Sequence, residues 1–156
     1  EIEDVELEAI DQAIRLHMLR GQDRPRLRRD TLNGMLKGFM DLCFRHEGRY
    51  YIADYKSNRL GSRDSDYTAE RLNEEILHHR YDLQYTVYLL ALHRYLKSRL
   101  GEHYDYDHAI GGVAYFFLRG FEGPSQGIHF LKPPATLIET IDRLMRHDSP
   151  GRRDGH

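Results

Sequence analysis

Three features are scarce in this sequence: cysteine, long apolar runs and an excess of one charge. The single cysteine, Cys43, cannot form an internal disulfide, so we expect a reducing, cytoplasmic setting. No apolar run has the length of a membrane-spanning helix and the chain opens without a signal-peptide pattern, so we expect no membrane association. The net charge of −2 excludes a general polyanion binder of the strongly basic kind.

The composition is that of one folded domain. A chain of 156 residues, 40% apolar and 31% charged, is long enough to bury its own core. We expect residues 1–148 to form this domain and residues 149–156 to be a disordered tail. The sequence begins at Glu1, in an acidic helix-like pattern, which suggests a fragment of a longer chain whose upstream residues complete its site.

The hydrophobic pattern predicts helices and strands in alternation. Apolar residues at intervals of three and four predict helices over residues 4–19, 67–79 and 80–100, and after Pro134. The run Gly111–Leu118 is almost wholly apolar, which predicts a strand buried on both faces inside a sheet. Another strand is expected over Gln126–Leu131.

A hairpin is predicted in the middle of the chain. Two alternating runs, residues 36–45 and 49–57, flank His46-Glu47-Gly48. If Glu47-Gly48 is the turn, the numbers of paired residues sum to 95, and Asp41 lies directly opposite Asp54. Their Cβ atoms would then be about 5 Å apart, which is destabilising unless a cation lies between the carboxylates.

Alternation along the strand places Lys56 on the same face as both aspartates, and Tyr51, Ala53 and Tyr55 on the other, in an apolar layer. Two carboxylates and a lysine suit phosphodiester hydrolysis, in which bound Mg²⁺ lowers the pKa of its water and acts as a Lewis acid. Asp41, Asp54 and the backbone carbonyl of Tyr55 would be its ligands, and Mn²⁺ would suit them too. Lys56 would orient the water or stabilise the transition-state charge.

Two polar segments near the hairpin are candidates for substrate contact. The segment Ser57–Asp66 has turn residues and charge without periodicity, which predicts a mobile loop beside the site. The segment Arg20–Arg29 carries five arginines and one aspartate. It is either a local nucleic-acid contact or a solvated loop.

These residues resemble a known family. Gly38-Phe39-Met40-Asp41, Asp54-Tyr55-Lys56 and Gln84 followed by Tyr88 one helical turn later look like the PD-(D/E)XK nuclease superfamily. Beyond the superfamily, the sequence resembles the C-terminal nuclease domains of RecB proteins, the beta subunits of exodeoxyribonuclease V. This likeness extends from about Gly34 to Leu131, and includes Tyr81-Asp82-Leu83-Gln84-Tyr85.

The resemblance implies an α/β fold of the restriction-endonuclease type, with a mixed central sheet flanked by helices. It assigns Asp41 and Asp54 as metal ligands, Lys56 as the catalytic lysine, and Gln84 and Tyr88 as the helix motif that contacts substrate. It implies a Mg²⁺-dependent deoxyribonuclease that processes double-strand breaks for recombination. The implied partners are DNA, helicase motor domains of the same full-length chain, and RecC-like and RecD-like subunits.

Two departures from the family pattern stand out. The family has a histidine and a glutamate upstream of the hairpin, and His17 and Glu3 are not convincing counterparts of them. The spacing places the family's two residues before Glu1. The ATP-binding motif Gly-x-x-x-x-Gly-Lys-Ser/Thr is missing, so ATP would act only through motor domains outside this sequence.

Two alternatives remain beside the nuclease interpretation. The domain is a non-catalytic DNA-binding or subunit-docking module with a vestigial metal site, or it is a restriction-type nuclease that dimerises to cut duplex sites. Without the family likeness, Gln84 and Tyr88 are also explained as part of an aromatic stripe in the core.

Overall fold

The computed structural model describes residues 4–36 and 42–146 of the chain. Six helices and four strands occur in these residues, joined by short 3₁₀ turns. In chain order they are α1 (Asp4–His17), α2 (Arg29–Leu36), β1 (Leu42–His46), β2 (Arg49–Lys56), α3 (Ala69–His78), α4 (Tyr81–Leu100), α5 (Tyr106–Ala109), β3 (Ile110–Phe117), β4 (Ile128–Leu131) and α6 (Ala135–Arg146).

The strands form one mixed sheet in the order β1-β2-β3-β4. Strands β1 and β2 are antiparallel, β2 and β3 are parallel, and β3 and β4 are antiparallel. Helices α3 and α4 lie in the crossover between the two parallel strands. The predicted α/β class with a mixed sheet is therefore confirmed, and β3 lies inside the sheet as predicted.

The hairpin has the predicted register. Leu42 pairs with Ala53 and His46 pairs with Arg49, so paired numbers sum to 95. Glu47 and Gly48 both have positive φ, 49° and 79°, as a two-residue hairpin turn requires. The predicted pairing of Asp41 with Asp54 is the next step of this register, and Asp41 lies outside the described residues.

The helices pack on the sheet face that carries Ile52, Val113 and Tyr115, all of them fully buried. Helix α4 is the central helix of this layer, with Leu83, Tyr85 and Leu89 also fully buried. Burial on several sides explains why its apolar residues do not form a single narrow stripe. The predicted site residues that α4 carries, Gln84 and Tyr88, are therefore held by a closely packed core.

The predicted helices are present, with small differences at their ends. Thr68 is the N-cap of α3, since its hydroxyl accepts a hydrogen bond from Arg71 N at 3.2 Å. Helix α2 was not predicted, and it corrects the strand expected from residue 36, because Leu36 is the last residue of this helix. The physical reason is Leu32, which α2 buries in the core. No helix within the described residues is long and apolar enough to cross a membrane.

The second face of the sheet differs from the prediction. Tyr51, Ala53 and Tyr55 do point away from Asp54, but Tyr55 is 48% exposed and not buried in an apolar layer. Neighbouring side chains on this face, such as Phe44 and Phe130, are 39% and 50% exposed. Strand β3 is correspondingly buried more fully on the Tyr115 face than on the face of Ala114 and Phe116, which are half-buried.

The predicted tail, residues 149–156, lies outside the described residues, as does the end of the predicted domain at residue 148. Residues 103–108 contain the end of a 3₁₀ turn and most of α5. The aromatic Tyr106 of this segment is buried, and the Tyr106 hydroxyl donates a hydrogen bond to the Pro133 carbonyl at 2.5 Å.

Candidate active site

The site is built on the carboxyl end of β2. Asp54 and Lys56 alternate with Tyr55, so both side chains point to the helix-covered face. Asp54 is only 4% exposed. Its Oδ2 lies 2.7 Å from Lys56 Nζ, so the two charges form a largely buried ion pair. The sequence prediction that these two residues share a face is confirmed.

Lys56 is held by residues from two other elements. Its ammonium donates a hydrogen bond to Gln84 Oε1 on α4 at 3.0 Å. It also lies 4.2 Å from the ring centre of Tyr81 and 5.1 Å from that of Tyr115, within the range of cation–π attraction. The lysine is therefore fixed by a carboxylate, an amide oxygen and two aromatic rings.

Gln84 connects α4 to the central strand as well. The Tyr115 hydroxyl donates to the same Oε1 atom that accepts from Lys56. Tyr115 pairs with Asp54 in the parallel register of β2 and β3. One amide oxygen thus joins β2, β3 and α4 at the site. Sequence reasoning identified Gln84 but missed Tyr81 and Tyr115.

The sequence contains a signal for Tyr81 but no local signal for Tyr115. Tyr81 stands three positions before Gln84 on α4, so helical spacing places both on one side of the helix. Tyr115 depends on the parallel pairing of β2 with β3, which has no local sequence signal. Tyr88, predicted to contact substrate, lies one turn after Gln84 and is 5% exposed; its contact with substrate stays a prediction.

The tyrosines behind the site are neutral hydrogen-bonding groups. Burial, and then the charge of Asp54, raise the pKa of both Tyr85 and Tyr115 far above the ordinary range. The two rings stack with centres 4.2 Å apart. Since Tyr115 keeps its proton near pH 7, its hydroxyl is a donor to Gln84 there.

A buried histidine supports this tyrosine pair from β4. The His129 Nδ1 atom lies 2.6 Å from the Tyr85 hydroxyl, and its Nε2 lies 2.7 Å from Asn73 Oδ1. Burial lowers the pKa of His129 to about 4, so the ring is neutral near pH 7. A neutral ring donates from Nε2 to the amide oxygen, and the Tyr85 hydroxyl, beside the unprotonated Nδ1, also donates to the His129 carbonyl at 2.8 Å.

The segment after Lys56, predicted to be mobile, is tied to the surrounding structure. Asn58 Nδ2 donates to Glu75 Oε1 at 2.9 Å and to the Tyr81 hydroxyl at 3.2 Å. The Leu60 carbonyl accepts from Arg71 at 2.8 Å. These contacts give the segment a definite conformation beside the site.

The N-terminus of α4 is anchored by a buried ionic network. Arg24 pairs with Asp82 at 2.7 Å, and Arg80 donates to Asp82 at 3.1 Å and to Asp11 at 2.8 Å. Burial alone would raise the pKa of Asp11, but hydrogen bonds and charge from Arg80, with the Leu27 amide and Arg15, lower it below its ordinary value. The network links α1 and α4, the helix that carries Gln84.

This network changes the interpretation of the segment Arg20–Arg29. Arg24 is buried and serves the fold, so it is neither a nucleic-acid contact nor a solvated residue. Arg26 and Arg29 each form a 2.7 Å surface ion pair, with Glu8 and Asp4. The segment folds back onto α1, and much of its charge is matched there.

The donor set at the site consists of oxygens. Within residues 4–36 and 42–146, no group of three or more histidine, cysteine, aspartate or glutamate side chains is placed to hold a metal ion. The described part of the site supplies the Asp54 carboxylate and the neighbouring Tyr55 backbone. Asp41, expected opposite Asp54, lies outside the described residues. Two carboxylates and a carbonyl fit the oxygen preference of Mg²⁺.

Comparison with known sequences supports the family likeness drawn from the motifs. The PD-(D/E)XK nuclease superfamily profile matches residues 2–150. The chain is 56% identical over 115 residues, 72% of its length, to the RecBCD enzyme subunit RecB of Escherichia coli. It is 45% identical over 141 residues, 90% of its length, to the RecBCD enzyme subunit RecB of Haemophilus influenzae.

More distant relatives have the same name. The RecBCD enzyme subunit RecB of Mycobacterium tuberculosis is 37% identical over 123 residues, 73% of this chain. The chain spans only about a tenth of the length of these relatives, with 10% of the Escherichia coli protein and 11% of the other two covered. Because the superfamily profile covers nearly the whole sequence, the chain belongs to the PD-(D/E)XK nuclease superfamily.

Proposed function

We propose that this domain is a metal-dependent deoxyribonuclease of the exodeoxyribonuclease V type. It would hydrolyse DNA phosphodiester bonds during helicase-coupled degradation and processing of double-strand breaks for homologous recombination. The observation that carries this proposal is the buried pair of Asp54 and Lys56, 2.7 Å apart, which Gln84 braces from α4. Family membership supplies the reaction class.

Asp54, Asp41 and the backbone carbonyl of Tyr55 would hold Mg²⁺, or Mn²⁺, since all of them offer oxygen ligands. When bound, the ion supplies a water of lowered pKa and a Lewis acid. A buried carboxylate on a strand is held rigidly, so Asp54 needs little reorganisation to bind a cation.

Lys56 would be the catalytic lysine. Its ammonium is a compact charge with three donors, and Asp54 and Gln84 occupy two directions around it. The remaining donor would orient the attacking water or stabilise charge on the phosphoryl oxygens. Since that charge develops in the transition state, replacement of Lys56 should lower turnover more than substrate affinity.

Gln84 has a positioning role in this proposal, since it holds Lys56, and it would also contact a substrate phosphate bound at that lysine. Tyr88 is retained as the second substrate-binding residue of the helix motif. Because Tyr88 is buried, its contribution would come through the position of α4 and of groups around the substrate.

The proposed partners follow from the relatives. Their shared name describes a subunit of an enzyme with several subunits. We infer that DNA is the substrate, that helicase motor domains belong to the same full-length chain, and that RecC-like and RecD-like subunits complete the enzyme. ATP would act only through those motors.

The test is metal-dependent cleavage of linear single-stranded DNA by the 156-residue chain, measured at increasing Mg²⁺ or Mn²⁺. Asp54→Asn and Asp41→Asn should each abolish cleavage at any metal concentration. Asp107→Asn, which changes an exposed aspartate at α5, is the matched control and should cleave normally. Metal-independent cleavage, or full activity in Asp54→Asn, would contradict the proposal.

A further inference from the structure

Three arginines outside the catalytic group line a single cleft. They are Arg59, Arg63 and Arg119, and all three are exposed. The cleft has a volume of about 370 Å³, and its one acidic lining residue is Asp64. Its lining therefore has an excess of positive charge.

The cleft is formed by the segments that follow Lys56 and its strand partner Phe117. Arg59 follows Lys56 by three residues, and Arg119 follows Phe117, the β3 partner of Lys56, by two. The Arg119 Nε donates to the Ser57 carbonyl at 2.8 Å, which ties the end of β3 to the residue after Lys56. The cleft therefore adjoins the end of β2 at which Lys56 lies.

The backbone that presents these arginines is well fixed. Leu60 N donates to the Tyr67 hydroxyl at 3.3 Å, and Arg63 N donates to Asp66 Oδ2 at 3.0 Å. A Cβ at Gly61 would lie 2.1 Å from Asp66 Oδ2, so another residue there would displace the side chain that accepts from Arg63 N. A binding group on this turn therefore loses little backbone freedom when a ligand is bound.

Two of the three arginines of the cleft have no ion-pair partner within the described residues. The guanidinium groups of Arg59 and Arg63 make no hydrogen bond or ion pair to any residue in the ranges 4–36 and 42–146. Arg26 and Arg29, in the earlier arginine-rich segment, do have carboxylate partners. Guanidinium groups are suited to phosphate, which they bind through paired N–H donors.

We propose that the Arg59–Arg63–Arg119 cleft binds one backbone phosphate of the substrate strand, adjacent to the phosphodiester on which Lys56 acts. This inference rests on the proposed nuclease function and adds a second, non-scissile phosphate to its substrate contacts. Such a contact fixes the position of the strand without reading its sequence, as phosphate contacts generally do.

Equilibrium binding of a single-stranded oligonucleotide in EDTA tests the cleft without any need for cleavage. The triple variant Arg59→Gln/Arg63→Gln/Arg119→Gln should bind at least about tenfold more weakly than the unchanged chain. The magnitude of the slope of log K against log salt should fall by about 0.7, the value for one phosphate of a single strand.

The matched control removes equal charge elsewhere. Lys97→Gln/Arg99→Gln/Arg143→Gln changes three exposed residues of α4 and α6 and should bind nearly as the unchanged chain does. Arg59→Gln/Arg63→Gln leaves the contact of Arg119 with Ser57 intact and should still lose affinity, which separates ligand binding from support of the fold. Equal losses in both triple variants would overturn the proposal.

Oligonucleotides with a neutral methylphosphonate at successive positions locate the contact. A methylphosphonate at one position should weaken binding to the unchanged chain. The same substitution should not weaken binding to the triple cleft variant any further. Persistence of the same pattern in the variant would overturn the proposal. Inorganic phosphate should compete weakly; if it binds the cleft while the variant keeps its oligonucleotide affinity, the ligand is free phosphate and the proposal fails.

The outcomes also separate this proposal from the nuclease function. If the chain binds DNA through the cleft but no metal supports cleavage, the phosphate site stands and the nuclease proposal fails. If the chain cleaves DNA and the cleft variant binds and cleaves as the unchanged chain does, the nuclease stands and the phosphate site fails.

Discussion

Lys56 and Asp54 form an ion pair of 2.7 Å on the same face of β2, and their side chains are only 15% and 6% exposed. A buried carboxylate and a buried ammonium are each costly to desolvate, so each depends on the other and on further polar contacts. Gln84, on a different element, provides one such contact to Lys56. The position of α4 therefore controls the geometry of a pair that lies on the sheet.

Gln84→Leu should lower the cleavage rate by about a hundredfold, because Lys56 and Tyr115 would both lose their common acceptor and the ammonium would shift. Oligonucleotide affinity should fall by much less than the cleavage rate, since at most one phosphate contact is lost. Single-turnover cleavage and equilibrium binding, measured on the same preparations, give the two quantities. Gln12→Leu, at an exposed position of α1, is the control. An unchanged rate in Gln84→Leu would contradict the positioning role.

Asp82→Asn should reduce the free energy of unfolding by about 3–5 kcal/mol, because it leaves the buried Arg24 and Arg80 without their shared counter-charge. Glu8→Gln removes a surface partner of Arg26 at the same 2.7 Å distance and should cost less than about 1 kcal/mol. Urea denaturation of both variants checks the contrast. Equal, small losses would show that the buried network does not anchor α4.

The same network explains the backbone before α4. Arg80 has a φ of 55°, a left-handed conformation that is unfavourable for a residue with a side chain. Its guanidinium contacts Asp11, Asp82 and the Pro25 carbonyl, and these contacts hold the residue in place. We predict that Arg80→Gly, though relieved of backbone strain, is less stable than the unchanged chain in the same urea titration.

Stability should fall as the pH is lowered from about 6.5 to about 4, in part because of His129. Its pKa is lowered to about 4 by burial, so the unfolded chain binds a proton in this range that the folded chain does not. The contribution of His129 to the free energy of unfolding is fully present above pH 6.5 and is lost as the pH falls to about 4. It amounts to about 3 kcal/mol over this range. His129→Gln should show a shallower dependence of unfolding free energy on pH. An unchanged pH dependence would contradict the buried neutral histidine.

The sequence was a good guide where local chemistry sets the structure. Glu47-Gly48 fixes the hairpin turn and with it the register that brings Asp54 and Lys56 to one face. The Thr68 cap locates the start of α3, and apolar periodicity locates both α3 and α4. Caps and periodicity can be recognised in the sequence because they involve residues only a few positions apart.

The rest of the site depends on packing between distant segments. Tyr115 joins the site through the parallel pairing of β2 with β3. Arg24 is buried because it pairs with Asp82, which lies 58 positions further along the chain on α4. Tyr55 has the alternation of a buried strand residue, yet half of its side chain is exposed, because alternation does not show which faces of a sheet are covered. The matching of charges and the coverage of faces are properties of the assembled fold.

The most direct test of the central claim is single-turnover cleavage of linear single-stranded DNA at saturating Mg²⁺ by Lys56→Met. Lys97→Met, at an exposed position of α4, is the matched control. We expect Lys56→Met to lose at least about a hundredfold in rate while its DNA affinity stays within a few-fold, and Lys97→Met to be unaffected. Equal rates in the two variants would contradict the assignment of Lys56 and Asp54 as the catalytic pair.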